Sequence, residues 1–115
     1  MRLKKIEAVI RPNKLDEVLE ELNRHQIFGV TVSHVFGCGL QKGRTQYYRG
    51  NKHTVNLLPK IKLEMVVKDA WVDEIVRVVI KAAGTGEIGD GKIFISSMDD
   101  AYRIRTADRG EDALV

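Results

Sequence analysis

The chain has 115 residues, 43% of them hydrophobic, with 19 Lys and Arg against 16 Asp and Glu. That length is one domain with a core of its own, and a single cysteine, Cys38, excludes an intrachain disulfide or a thiolate metal cluster and suits a reducing cytosol. No apolar run is long enough to span a membrane, and the mild, interspersed charge points weakly to anionic small molecules and hardly at all to nucleic acid, so a soluble, cytoplasmic protein is expected.

Taken in order, the start reads as a strand rather than a signal peptide. Ile6, Ala8 and Ile10 alternate with Lys5, Glu7 and Val9, the period of a half-buried strand over residues 4–10. Arg11-Pro12-Asn13 stops it, Asn13 is the expected N-cap, and Leu15, Val18, Leu19 and Leu22 then fall at helical spacing. After Gly29, the β-branched run Val30 to Phe36 predicts a second strand that ends at Gly37. Residues 37–59 are polar, basic and glycine-punctuated, which predicts a long loop. Loops of this length inside a compact domain are usually functional or disordered. Its tyrosines and arginines are side chains favoured at binding hot spots.

Lys60 to Val67 alternates again, with Ile61, Leu63 and Met65 inward and Lys62 and Glu64 outward. Asp69 is the expected cap of a second helix, whose core face is Val72, Ile75, Val76 and Val79, with Gly84 just past its end. Lys92 to Ser96 predicts strand four. After a turn at Asp99-Asp100, the alternation in Tyr102-Arg103-Ile104-Arg105 predicts a short extra strand with both arginines on one face.

Between the second helix and strand four lies Gly84-Thr85-Gly86-Glu87-Ile88-Gly89-Asp90-Gly91-Lys92. Closely spaced glycines running into a lysine let backbone N–H groups approach an anion, phosphate above all. From Gly86 the run nearly spells the P-loop, but Ile93 has no hydroxyl for a magnesium ion, and the order is helix to strand rather than strand to helix. A P-loop NTPase is therefore set aside in favour of a glycine-cushioned phosphate site closed by Lys92. The competing explanation is an ordinary helix-to-strand turn.

Two βαβ-like halves joined by a long loop predict an α+β, ferredoxin-like βαββαβ sandwich, with both helices on one face of an antiparallel sheet. Val9, Val35, Val66 and Phe94, beside Thr31 and Glu64, would make the other face too apolar for water, so an oligomer is expected. In such a sheet Gly37 and Gly39 approach Glu64 and Gly89 to Lys92, with Arg103 and Arg105 adding guanidinium groups suited to polyphosphate and Glu64 pairing with Lys92 or a ribose hydroxyl. His25, His34 and His53 have neither metal-ligand spacing nor an evident partner, and no nucleophile-base pair suggests an enzyme.

Thr85 to Phe94, Arg103-Ile104-Arg105-Thr106, and Gly39-Leu40-Gln41-Lys42-Gly43 leading to Tyr48-Arg49-Gly50 and Leu58-Pro59-Lys60 together resemble the PII nitrogen-regulatory signal-transduction family over nearly the whole chain. The resemblance implies a single domain over residues 1–115, with a partner-binding loop 37–59, a nucleotide loop 84–92 and a C-terminal loop 99–115. It implies a homotrimer with ATP or ADP between subunits, contacted by Thr31, Gly37, Gly39, Gln41, Glu64, Gly89, Asp90, Gly91, Lys92, Arg103 and Arg105. It also implies 2-oxoglutarate beside Mg-ATP, held through Gln41, Gly43 and Lys60, with Gln41 facing Mg2+. Tyr47, Tyr48, Arg49 and His53 would meet an ammonium transporter or another nitrogen-metabolism protein, so any membrane association would be peripheral.

This chain departs from the family at several positions. His53 stands where many members carry a nucleotidylated tyrosine, Asn51 replaces a nearby serine, Leu40 replaces an arginine that reaches the phosphates, and Ala107 replaces a common glycine. Two rivals share the sandwich. An acyl-phosphate hydrolase would use Arg and Asn to orient water, and an RNA-binding module would want stacking aromatics that Lys60 to Met65 lacks.

Overall fold

The computed structural model describes residues 2–38, 45–48, 51–54 and 57–114. Its order is β1 (Leu3–Ile10), α1 (Leu15–Arg24), β2 (Thr31–Cys38), β3 (Thr45–Tyr48), β4 (Asn51–Thr54), β5 (Leu57–Lys68), α2 (Val72–Ala83) and β6 (Gly91–Met98). Four strands form one antiparallel sheet in the order β2-β5-β1-β6, with β1 and β5 central, which is the ferredoxin-like α+β arrangement.

The alternation read from the sequence sets which face is buried. Ile6, Ala8 and Ile10 lie opposite Met65, Leu63 and Ile61 and, with Val67, turn toward Val18 and Leu22 of α1 and Ile75, Val79 and Ala83 of α2. All are buried, and each large aliphatic side chain so placed contributes about 1.5–3 kcal/mol relative to exposure. Register is strongly specified here, since a one-residue slip would send this set to the other face.

Three expectations about the connections are corrected. Asn13 and Asp69 do not cap helices. Each sits in a 3-10 turn, Pro12–Lys14 and Asp69–Trp71, without a side-chain cap, because the turn's own bonds, such as Lys14 N–H to the Arg11 carbonyl at 3.0 Å, take up the donors. The segment 37–59 is not structureless. β2 runs on to Cys38, β5 begins at Leu57, and β3 pairs with β4 in a separate antiparallel hairpin. The extra strand at Tyr102 to Arg105 is reduced to one bridge, Tyr102 with Arg109, because residues 104–106 turn.

The face away from the helices is also less apolar than expected. Lys5 Nζ lies 2.9 Å from Glu7 and 3.1 Å from Glu64, and Lys62 lies 3.4 Å from Glu64, so a row of charges crosses its centre. Phe94 on the same face is half exposed.

Candidate functional site

The glycine loop is built around one carboxylate. Asp90 accepts from the Thr85 N–H at 2.8 Å, the Gly86 N–H at 2.9 Å, the Thr85 hydroxyl, and Arg11 Nε at 3.1 Å. These donors hold its pKa well below the ordinary carboxylate range, the Thr85 hydroxyl and N–H contributing most. Arg11 extends the clamp by donating to the Ile88 carbonyl at 2.9 Å. Lys60 Nζ reaches the Gly89 carbonyl from β5, and burial together with the nearby Arg11 guanidinium lowers the lysine's pKa. Asp90 therefore shapes the loop rather than presenting its carboxylate to a ligand.

Three glycines are required by the backbone that results. Gly86, Gly89 and Gly91 have φ of 85°, 103° and 106°, where side chains are strained. At Gly91 an added Cβ would also fall 1.7 Å from the Val9 carbonyl oxygen, so β6 can lie against β1 only with glycine there. Gly37 has a packing reason instead. A Cβ would meet the Lys60 stem at 3.0 Å, so this glycine gives the lysine its path to Gly89.

The loop leaves two amides over. The Glu87 N–H goes to the Thr85 hydroxyl at 3.2 Å and the Asp90 N–H to the Glu87 carbonyl at 3.4 Å, whereas the N–H groups of Ile88 and Gly89 have no protein acceptor among the described residues. They sit near Lys60 and beside exposed Lys92, an arrangement that can hold an anion. A cleft of about 370 Å³ opens next to it, lined by Val76, Ile80 and Ala83 of α2 and by Gly91, Lys92 and Ile93.

The remaining candidate residues are elsewhere. Thr31 pairs with Glu64, three positions along β5 from Ile61, which is level with Gly91 across β1. Glu64 pairs with Lys5 and Lys62, not Lys92; those lysines keep its pKa low, Lys5 foremost. Arg103 and Arg105 follow the opposite end of β6 from the glycine loop, and seven strand steps at about 3.3 Å separate those ends by roughly 23 Å. Their surroundings differ as well. Arg103 is half-buried and donates to Asp108 at 3.2 Å and to the Asp112 carbonyl at 2.9 Å, while Arg105 is exposed.

The set is thus divided: Gly37, Lys60 and Gly89 to Lys92 at one end, Thr31 and Glu64 along the β2 side, and the arginines in the segment that follows the other end of β6. Gly39, Leu40, Gln41, Gly43 and Arg49 lie outside the described residues. Tyr47 and Tyr48 fall in β3 and His53 in β4. Arg11 escaped the sequence reading, which took it only as a strand stop. Nothing local marks it, because its partner is 79 residues away.

A family model described as nitrogen regulatory protein P-II matches residues 3–108. The chain belongs to the P-II family of nitrogen regulatory proteins. It is 50% identical over 112 residues to the nitrogen regulatory protein P-II of Rhodospirillum rubrum and 54% identical to that of Nostoc punctiforme, in each case covering 97% of this chain and all of the relative. A crystal structure of Arabidopsis thaliana PII bound to citrate superposes with a TM-score of 0.80 at 38% identity, covering 97% of this chain and 92% of that one. The P-II relatives are named as regulators, which places this chain among signal-transduction proteins. No helix among the described residues is long and apolar enough to cross a membrane.

Proposed function

We propose that this P-II protein senses ATP or ADP together with 2-oxoglutarate, and that the bound effectors set the conformation of residues 37–59, through which it regulates an ammonium transporter or a nitrogen-assimilation protein. One observation carries the reading: the glycine loop offers two unclaimed amides beside Lys60 and Lys92 at one end of the sheet, while the arginines suited to polyphosphate leave from the other. A single copy is half a site.

A ring of copies unites the halves. In a homotrimer the Gly89 to Lys92 end of one subunit would meet Thr31, Glu64, Arg103 and Arg105 of the next, and the sheet face bearing Phe94 would be covered. The edge strands β2 and β6, each unpaired on one side among the described residues, would then be neighbours across the interface. Lys60 suits a carboxylate effector placed beside the nucleotide, and a relative of known structure carries citrate, itself carboxylate-rich. Gln41, the residue the resemblance sets toward Mg2+, lies outside the described residues, so the magnesium rests on the resemblance alone.

The mechanism is a population shift. ATP with 2-oxoglutarate and ADP without it would favour different states of the 37–59 segment, only some of which dock on a target. Regulation of this kind needs binding differences between states and no turnover, in keeping with a non-enzymatic role and a cytoplasmic protein.

Calorimetric titration tests it directly. ATP and ADP should both bind, and 2-oxoglutarate should bind only with Mg-ATP present. Nucleotide binding without 2-oxoglutarate binding would reduce the protein to an adenylate sensor, and no nucleotide binding would overturn the reading. Sustained phosphate release from acyl phosphates would favour the hydrolase instead.

A further inference from the structure

The two arginines offered to a polyphosphate are not equivalent in the folded chain. Residues 103–108 form a closed loop, in which the Arg103 N–H donates to the Asp108 carbonyl and the Ala107 N–H to the Arg103 carbonyl, both at 2.8 Å. Inside it the Asp108 carboxylate is held by the Thr106 hydroxyl at 2.9 Å and faces the Arg103 guanidinium at 3.2 Å. Closure puts Ala107 at φ 63°, a conformation unfavourable for any residue with a Cβ. Arg105, two residues on, is exposed. An anion arriving here finds Arg105 open and Arg103 already carrying a carboxylate.

We propose that Asp108 is an internal competitor for Arg103, a built-in anion that a bound phosphate must displace and that thereby tunes nucleotide affinity and the preference for triphosphate over diphosphate. Asp108 is half exposed, so the pair is a weak one that a multiply charged phosphate can replace. The cost of freeing Arg103 is the same for either nucleotide, but the carboxylate repels the more highly charged triphosphate more strongly, so the competitor penalises ATP more than ADP. Thr106 sets the strength of competition by anchoring the carboxylate.

The inference rests on the nucleotide reading above, and the experiment separates the two. ATP and ADP are titrated by calorimetry into wild type, Asp108→Asn and Thr106→Val, with thermal unfolding of each as a check on folding. Asp108→Asn should tighten nucleotide binding by about two- to fivefold, the range that one exposed ion pair allows, and should tighten ATP more than ADP. Thr106→Val should shift both affinities in the same direction by less. Weaker binding in Asp108→Asn would make Asp108 a positioning residue for Arg103 and overturn the proposal, as would an unchanged ATP-to-ADP ratio. If Asp108→Asn does not fold, the direction of the Thr106→Val shift decides. Failure of wild type to bind either nucleotide removes the nucleotide reading and this inference together.

Discussion

The glycine loop and the C-terminal loop solve one problem with different materials. Each is organised by an aspartate: Asp90 gathers Thr85, Gly86 and Arg11, and Asp100 gathers the Ala101 and Gly110 N–H groups at 2.8 and 3.1 Å and the Arg109 guanidinium. The left-handed positions of the first are all glycine, so that loop sits without strain and leaves amides to spare. The second puts Ala107 at φ 63° and closes with ion pairs, Arg109 to Asp100 and Arg103 to Asp108, with Arg109 also stacked 5.3 Å from the Tyr102 ring. A loop shaped by glycine is a preformed receptor. A loop held by charge pairs against strain is one that a charged ligand can rearrange.

The largest expected effect is at Gly91, where the glycine loop joins the sheet. Gly91→Ala should cost at least about 3 kcal/mol, read from urea unfolding, because its Cβ overlaps the Val9 carbonyl at a left-handed φ. A loss below 1 kcal/mol would mean that β6 can move off β1. Next is the hub. Asp90→Asn keeps the shape but loses the charge that Arg11 and three Thr85 and Gly86 donors address, and ATP affinity should fall by roughly tenfold with a much smaller change at Asp100→Asn. Equal effects of the two would erase the distinction between receptor and rearranging loop.

Acid should act on both hubs with the same sign. Asp90 and Asp100 titrate below the ordinary 3.8 in the folded protein, Asp90 through Thr85 foremost and Asp100 through the Ala101 N–H foremost. Their contribution is therefore present above that pH and is lost as acid protonates the folded carboxylates. Melting temperatures followed from pH 7 to pH 3 should fall less steeply for Asp100→Asn than for wild type. The smallest effects form a mirrored pair. Gly86→Ala should destabilise and Ala107→Gly stabilise, each by about 1 kcal/mol or less in thermal unfolding, because in both cases only the left-handed conformation is at issue.

Legibility in the sequence followed the range of the interaction. Apolar residues at period two and at i, i+3, i+4, i+7 located β1, β5, α1 and α2, since burial on one face imposes that spacing on the chain itself. The glycines before Lys92 were visible because positive φ leaves a residue-type mark. Asn13 and Asp69 misled because acid or amide side chains before a helix signal a cap only when the chain enters directly, and 3-10 turns intervene here. Arg103 and Arg105 were read by strand alternation, but residues 104–106 form a turn and not a strand. The hairpin β3-β4 was missed because its residues are polar and glycine-punctuated, without the apolar alternation that marks a half-buried strand.

By itself, then, the amino-acid order determined the layer architecture, the family resemblance and the position of the glycine loop, all of which arise from side-chain type and local spacing. Only the tertiary structure decided that Arg11 clamps Asp90, that Lys60 passes over Gly37 to Gly89, and that Glu64 is engaged by Lys5 and Lys62. Those partners lie 79, 29 and up to 59 residues apart. A polar pair needs no periodicity to form, so only the sheet register and the path of the glycine loop between α2 and β6 determine which of these groups meet.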